Sequence, residues 1–397
     1  LPIGIIGGGI IGLAIGQALA RRGDQVIVFE KESRVGMHQP GHNSGVVHAG
    51  LYYKPGSLKA QLCSSGRELL RDYCAEHHLP FEKLGKLVIA KNTEELPALE
   101  EIYRRSIANG VPDIHRVNRQ EMLQIEPHVG GISGIHSPQT AVTDFASIAE
   151  HFAHQIRSSE GAVELNSLVV AVEQQFDSVR LSTPAKTYRC QKLIVCAGLH
   201  SDVIAELVGA SPDPRILPFR GEYWNLKQER SHLVRGMIYP VPDSRFPFLG
   251  VHFTKGVYGD VHVGPNAVPA LAREGYRWSD VSLRDTLGSI TWPGAGALAK
   301  KHWRMGLHEI AGSLSKRRYF SVAKEYLPDL QMSDLVGKGP AGVRAQAWSK
   351  DGSLLDDFAI DQVGPITLVR NAPSPAATSS LAIARYLMTE IGRASCR

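Results

Sequence analysis

Gly7, Gly9 and Gly12 stand at Gly-x-Gly-x-x-Gly spacing between an apolar run, Ile3-Gly4-Ile5-Ile6, and a run of helix formers, Leu13 to Arg21. At this spacing Gly7 permits a tight turn, Gly9 lets the backbone approach a pyrophosphate, and Gly12 lets the helix lie close to the strand. The amides at the start of that helix attract phosphate. Glu30 ends the next apolar run, Gln25 to Phe29, and is placed to accept hydrogen bonds from a ribose diol, with Lys31 beside it. Strand, turn, helix, strand and terminal acid together predict a dinucleotide-binding unit. The spacing alone does not tell a nicotinamide dinucleotide from a flavin one.

The elements that must position this chemistry alternate along the chain. After a loop rich in Gly and His at 36–57, apolar positions at helical spacing predict a helix from Leu58 to His77. Gly85 to Ala90 reads as a strand, 93–127 as helical with a break at Gly110-Val111-Pro112, and Phe145 to Arg157 as an amphipathic helix. Strands are expected at Ala162 to Leu165 and Leu168 to Glu173, then in the buried run Leu193 to Gly198. From Pro218 to about Gly264 short runs with aromatics and prolines predict an antiparallel sheet, followed by a basic helical region at about 285–328. Strands return at Phe358 to Ile360 and Ile366 to Val369, and Ser374 with Pro375 predicts the cap and first position of a closing helix. Two interleaved domains are therefore expected: 1–84, 140–216 and 335–397 in one, 85–139 and 217–334 in the other.

With 397 residues, 43% hydrophobic and 21% charged, the chain can bury a large core and form two domains. The net charge of +5 suits anionic ligands or an anionic surface, and no basic block supports nucleic-acid binding. The 5 cysteines are odd in number and lack Cys-x-x-Cys spacing, which argues against a disulfide framework or a zinc site and for a reducing, cytoplasmic compartment. No apolar run spans a bilayer, no targeting peptide is visible, and Leu1 suggests a missing or processed start.

The most specific stretch is Gly41-His42-Asn43-Ser44-Gly45-Val46-Val47-His48-Ala49-Gly50-Leu51-Tyr52-Tyr53. It is followed in order by Arg220-Gly221-Glu222-Tyr223, Gly250-Val251-His252-Phe253-Thr254, Val263-Gly264-Pro265-Asn266-Ala267, Gly342-Val343-Arg344-Ala345-Gln346 and the run from Val369 to Ser380. On these motifs the chain resembles the D-amino-acid-oxidase-like flavoproteins and, within them, the L-2-hydroxyglutarate dehydrogenase or oxidase family, from Gly4 to about Gly392. The resemblance implies an α/β fold, α+β overall, with a Rossmann-like FAD-binding domain interleaved with a mixed or antiparallel-sheet substrate domain. It implies FAD as cofactor and oxidation of L-2-hydroxyglutarate to 2-oxoglutarate by hydride transfer to flavin N5. Electrons would pass to a quinone or other respiratory acceptor, or to oxygen.

The same resemblance places His42, Asn43, Ser44 and Gly45 beside the isoalloxazine ring and Val170 against the adenine through its backbone. Ala197 and Gly198 would pass the pyrophosphate, and the N–H groups of Ala377, Thr378 and Ser379 would face the flavin pyrimidine carbonyl, where charge collects on reduction. His42 is a candidate covalent tether, or else a loop histidine held by hydrogen bonds; capping alone would also explain the serines of the closing run. Oxidation of a 2-hydroxy acid needs a base and cations that hold carboxylates. Among the 16 histidines, the natural bases near neutral pH, His252 and His48 are the candidates, each with a structural histidine as the alternative. Arg344 and Arg220 are the expected carboxylate anchors, with an Arg220–Glu222 ion pair as the alternative, and Tyr223, Thr254 and Gln346 as nearby donors. Trp224 stands where relatives commonly carry a second tyrosine, which bears on the pocket wall.

Lys300-Lys301-His302-Trp303-Arg304 and Lys316-Arg317-Arg318-Tyr319-Phe320 combine cations with aromatics. Such a helix could lie in an anionic membrane interface, or simply be packed on one face and solvated on the other. Some members of the family are membrane-associated, so peripheral contact with the inner, cytoplasmic membrane is an expectation. Competing functions are an amino-acid or amine oxidase of the same superfamily, a non-catalytic flavin-binding membrane-associated protein, and a nicotinamide dehydrogenase.

Overall fold

The computed structural model describes residues 1–242, 250–297, 300, 315–339 and 341–394. The short β-branched run Ile3–Ile6 is wholly buried and forms a central strand, flanked in parallel by Val26–Phe29 and Lys192–Val195. Ile5 lies between Val28 and Ile194, so neighbouring strands end together at one edge. Ala162–Glu164 and the hairpin Ala359–Val363 with Ile366–Asn371 complete a six-stranded sheet, antiparallel only within that hairpin. Its strands come from both ends and the middle of the chain.

The helix Ile10–Arg21 starts at Gly9, which has extended backbone and no side-chain cap, and it buries most of its residues. It packs with the helices Phe145–Ser158 and Ser380–Ala394 in one apolar cluster that includes Leu13, Ile15, Phe152, Ile156 and Leu387. Asp144 caps the second of these by accepting hydrogen bonds from the Ala146 and Ser147 amides. The close approach of helix and strand depends on Gly12, because a Cβ there would meet the Gly7 carbonyl oxygen at 2.1 Å.

The second layer is an eight-stranded mixed sheet in the order Leu335–Lys338, Trp224–Leu226, Val261–Val263, Phe253–Lys255, Met237–Pro240, Lys86–Ala90, Ser133–Ser137, His115–Asn118. Neighbours are antiparallel except Met237–Pro240 with Lys86–Ala90. Strand alternation sorts its side chains. Leu87, Ile89, Ile238, Phe253 and Val263 face a core closed by Tyr319, Ala323 and Tyr326 of the helix Lys316–Tyr326. Lys86, Val88, Met237, Tyr239 and Thr254 occupy the opposite face, with Val88, Met237 and Tyr239 in a separate apolar cluster. A three-stranded antiparallel sheet, Val268–Pro269, Arg215–Gly221 and Gly342–Trp348, stands beside these layers.

Several expectations are corrected. The stretch 93–127 is not helical throughout: Leu96–Ala108 and Arg119–Ile125 are helices, but His115–Asn118 pairs with Ser133–Ser137 as an edge strand. The closing helix begins at Ser380, not at Pro375, because residues 374–379 form successive turns in which the Ser379 amide donates to the Pro375 carbonyl. Residues 335–338, assigned to the first domain from sequence, pair with Trp224–Leu226 in the eight-stranded sheet, and the strand Arg215–Gly221 runs across the expected 216/217 boundary. Trp224 is no pocket wall: its ring packs beside Tyr319 and under the Lys316 ammonium, against the core on the far face. Residues 301–304 of the basic stretch lie outside the described residues. Replacing Gly12 with Ala forces helix and turn apart and is expected to cost about 1–3 kcal/mol, read as a lower urea midpoint of the cofactor-free protein.

Candidate active site

A cavity of about 930 Å³ is lined from both large sheets, near the upper end of the usual range for small-molecule sites. At one end the Gly7 turn has φ +112, and a Cβ at Gly7 would meet the Cys196 carbonyl oxygen at 2.3 Å. The Gly8 amide donates to Glu30 Oε2 at 2.7 Å and the Glu32 amide to Glu30 Oε1 at 2.9 Å, so the carboxylate is held at the turn with lone pairs left over. A Cβ at Gly9 would meet nothing within 4 Å. Among the described residues the N–H groups of Gly9, Ile10 and Ile11 find no acceptor, and all three residues line the cavity. This donor set fits the pyrophosphate of a dinucleotide, with Glu30 at a ribose.

Ala197 and Gly198 line the cavity next to this turn. Val170 does too, but its amide already donates to Ser182 O at 2.8 Å, so only its carbonyl is left for an adenine. Lys31 pairs with Glu32 and with Glu274, 2.6 Å away, in a cluster that includes His38 and His200. Glu32, His38 and Glu274 come close enough to hold a metal ion, yet the Lys31 ammonium already supplies their countercharge.

Along the middle of the cavity, His42 Nδ1 donates to Ala341 O at 2.9 Å and the ring stacks on Tyr276 at 4.3 Å, the arrangement of a held loop histidine. Asn43 folds its loop by donating to Gln39 O and Pro40 O and accepting from the Gly45 amide. Ser44 lines the cavity. Gly45 serves the turn itself, with φ +69 and a Cβ position 2.6 Å from Thr143 O. The Thr378 hydroxyl accepts from the His48 amide and donates to Val46 O. The Ala377 and Thr378 amides find no acceptor among the described residues and remain available to a ligand. The Ser379 amide is spent on Pro375 O and Ser379 does not line the cavity, which corrects its assignment.

The far end holds the candidate catalytic groups. His252 is 5% exposed, and its ring lies 4.0 Å from Tyr239, centroid to centroid. His252 Nδ1 lies 2.8 Å from Gly250 O, which assigns the proton to Nδ1 and leaves the Nε2 lone pair as acceptor. Burial pushes His252 down to about 3, against the Gly250 hydrogen bond, and Lys86 and Arg344 push the same way. His48 is also held well below the usual imidazole range, by burial and then by Lys86, and its Nε2 lies 3.4 Å from Ser374 Oγ. Tyr223 is half-buried beside Arg344 and Ser44, and desolvation raises its phenol. Arg344 lines the cavity.

Three expected substrate contacts fail on geometry. Phe219 is paired with Arg344 and Arg220 with Val343, so the two arginines emerge on opposite faces of the three-stranded sheet. Arg220 is 1% exposed, ion-paired to Glu222 at 3.3 Å and stacked on Trp278; it does not line the cavity. Thr254 is buried with its hydroxyl 3.3 Å from that of Tyr239 and does not line the cavity either. Gln346 does line it, but its amide nitrogen donates to Ala347 O and Leu355 O, which leaves only an acceptor where a carboxylate needs a donor. Sequence reasoning missed Tyr239, Tyr52 and Lys86. The available signal was a charged residue opening an apolar strand, Lys86-Leu87-Val88-Ile89-Ala90.

A family model described as FAD dependent oxidoreductase matches residues 3–390. An L-2-hydroxyglutarate dehydrogenase of Indibacter alkaliphilus is 45% identical over 382 residues, 96% of this chain and 96% of that protein. The mitochondrial L-2-hydroxyglutarate dehydrogenase of Homo sapiens is 43% identical over 406 residues, 98% of this chain and 88% of that protein. Dithionite-reduced L-alpha-glycerophosphate oxidase from Mycoplasma pneumoniae, with FAD bound, has the same fold at a TM-score of 0.80 and 22% identity, covering 98% of this chain and 94% of that one. Because Gly9 faces open cavity, Gly9→Ala should change the stability of the cofactor-free protein by less than about 0.5 kcal/mol while weakening FAD binding at least tenfold, read by flavin fluorescence during reconstitution.

Proposed function

The chain belongs to the FAD-dependent oxidoreductases, and from that premise we propose that it oxidises L-2-hydroxyglutarate to 2-oxoglutarate. The observation that carries the reading is the cavity's far end, where two neutral imidazoles stand among the cations Lys86 and Arg344 with a tyrosine hydroxyl beside the arginine. FAD, the family's dinucleotide in place of nicotinamide, supplies when bound the acceptor for the hydride from C2. Gly9, Ile10, Ile11 and Glu30 would hold its pyrophosphate and ribose, and Ala377 and Thr378 its flavin end.

His252 takes the hydroxyl proton at Nε2, with the Nδ1–H hydrogen bond to Gly250 O fixing its tautomer. Arg344 and Tyr223 hold the carboxylate next to the reacting carbon, and the fork of the guanidinium orients it. His48 is the second candidate for the base, with Ser374 already beside its Nε2. Because burial and neighbouring cations keep His252 unprotonated, the base is ready at neutral pH, and the apolar Tyr239 face shields it from water.

The electrons leave to a quinone or another respiratory acceptor, or to oxygen, and the protein works on the cytoplasmic side in peripheral contact with the membrane. Exposed Val281, Leu283, Leu287 and Ile290, on and beside the helix Leu283–Ile290, support the membrane contact, with Arg284 among them. Among the described residues no helix is long and apolar enough to cross a membrane. Strand pairing supports a two-domain division like that expected from sequence, with 335–338 moved to the substrate domain.

Anaerobic addition of L-2-hydroxyglutarate should bleach the flavin absorbance and the D-isomer should not; bleaching by sarcosine or glycine alone would overturn the reading in favour of an amine oxidase. His252→Asn should keep the flavin spectrum and lower kcat by about 100-fold to 10,000-fold. With His252 driven to about 3, kcat/KM of the native protein should show no acid limb between about pH 7 and about pH 5. Vesicles of anionic lipid should co-float the native protein, and Leu283→Ser with Leu287→Ser should abolish that.

A further inference from the structure

The inner face of the eight-stranded sheet carries a charge to which the reaction described so far gives no substrate contact. Lys86 pairs in register with Met237 on one side and Ser137 on the other, and it is 1% exposed. Its ammonium lies 4.0 Å from the centre of the Tyr239 ring and 5.7 Å from that of Tyr52; both tyrosines line the cavity, and Lys86 stands one layer behind that lining. It is near enough to His48 and His252 to oppose their protonation. Among the described residues no carboxylate pairs with it and no acceptor takes a hydrogen bond from it. The Tyr52 hydroxyl is likewise buried with no partner.

The other cations nearby are engaged. Lys59 pairs with Asp356 at 2.8 Å, and Arg220 with Glu222. A buried ammonium without an anion is costly, and ring faces recover only part of that cost. Burial accordingly draws Lys86 down to about 7, so that its charge is fully restored only by an anionic partner. The Lys86 ammonium and the buried Tyr52 hydroxyl, neither with an acceptor among the described residues, stand beside the substrate end of the cavity, where an anionic ligand can supply one.

We propose that Lys86, seconded by the Tyr52 hydroxyl, binds the carboxylate of the substrate farthest from the reacting carbon and thereby selects a 2-hydroxy dicarboxylate over the monocarboxylate of equal length. This rests on the 2-hydroxy-acid reading above and deepens it. Arg344 with Tyr223 then meets one end of a dianion and Lys86 the other, which matches two cations to two carboxylates and spaces the reacting carbon between them near His252.

The test compares L-2-hydroxyglutarate with L-2-hydroxypentanoate in the flavin-loaded protein. Lys86→Met should lower kcat/KM for the dicarboxylate by about 100-fold more than for the monocarboxylate, with the excess mainly in KM. Tyr52→Phe should act in the same direction by a smaller factor. Equal losses on both substrates, or no loss on either, would overturn the proposal. Calorimetric binding of glutarate and pentanoate reads the same discrimination without turnover: the native protein should prefer glutarate and Lys86→Met should not. If the native protein oxidised neither hydroxy acid, the functional reading would fail, and the glutarate preference alone would still decide whether Lys86 is a carboxylate site. Should Lys86→Met not retain flavin, Tyr52→Phe decides, and an unchanged preference there overturns the assignment.

Discussion

The Gly7 carbonyl lies 2.1 Å from where a side chain at Gly12 would begin, and the Cys196 carbonyl 2.3 Å from where one at Gly7 would. Turn, first helix and the end of the neighbouring strand therefore meet backbone to backbone. That contact sets the height of the helix over the sheet and leaves its first amides open to the cavity. The hydrogen bond from the Gly8 amide to Glu30 then brings the acid of the second strand to the same spot. Because Ile3–Ile6 and its two neighbours are parallel and in register, their ends share one edge. The cofactor's phosphates and ribose are thus met by backbone position and one carboxylate, in keeping with the binding crevice of open α/β sheets.

The reacting end depends on a different regularity, the period of two in a strand. In the eight-stranded sheet it sends Leu87, Ile238 and Phe253 into one core and Lys86, Tyr239 and Thr254 to the opposite face. The result is a site with cations and neutral imidazoles side by side. Burial, with the cations adding to it, keeps His252 and His48 unprotonated, and the same charges attract an anionic substrate. When carboxylates arrive, part of the repulsion felt by a protonated imidazole is cancelled, so the base gains strength as the substrate binds. Binding and proton abstraction are served by one arrangement of charge.

The glycine triplet, Glu30 and the helix Leu58–Glu76 were legible because their signals are local: a turn that only glycine fits, an acid at a strand end, apolar residues at helical spacing. The quoted motifs carried the family and the cofactor, and His252 and Arg344 among them reach the cavity. His115–Asn118 carries a helical pattern locally, because its strand pairing with Ser133–Ser137 lies beyond any local window. Ser374 followed by Pro375 has the composition of a helix start, whereas the chain makes turns until Ser380.

By itself the sequence determined a dinucleotide unit at the start of the chain, interleaved elements, and a set of basic and imidazole groups suited to an anionic hydroxy acid. It could not determine which of those groups share a face. Arg220 and Arg344 each sit within two residues of a glycine in their motifs, and the register of one antiparallel pair sends them to opposite sides, one into an ion pair with Glu222 and one to the cavity. Lys86 looked like any lysine at a strand start until the sheet buried it between Tyr52 and Tyr239 without an anion. Residue type and spacing are properties of the chain, but side-chain direction and charge pairing arise only when distant strands are brought into register.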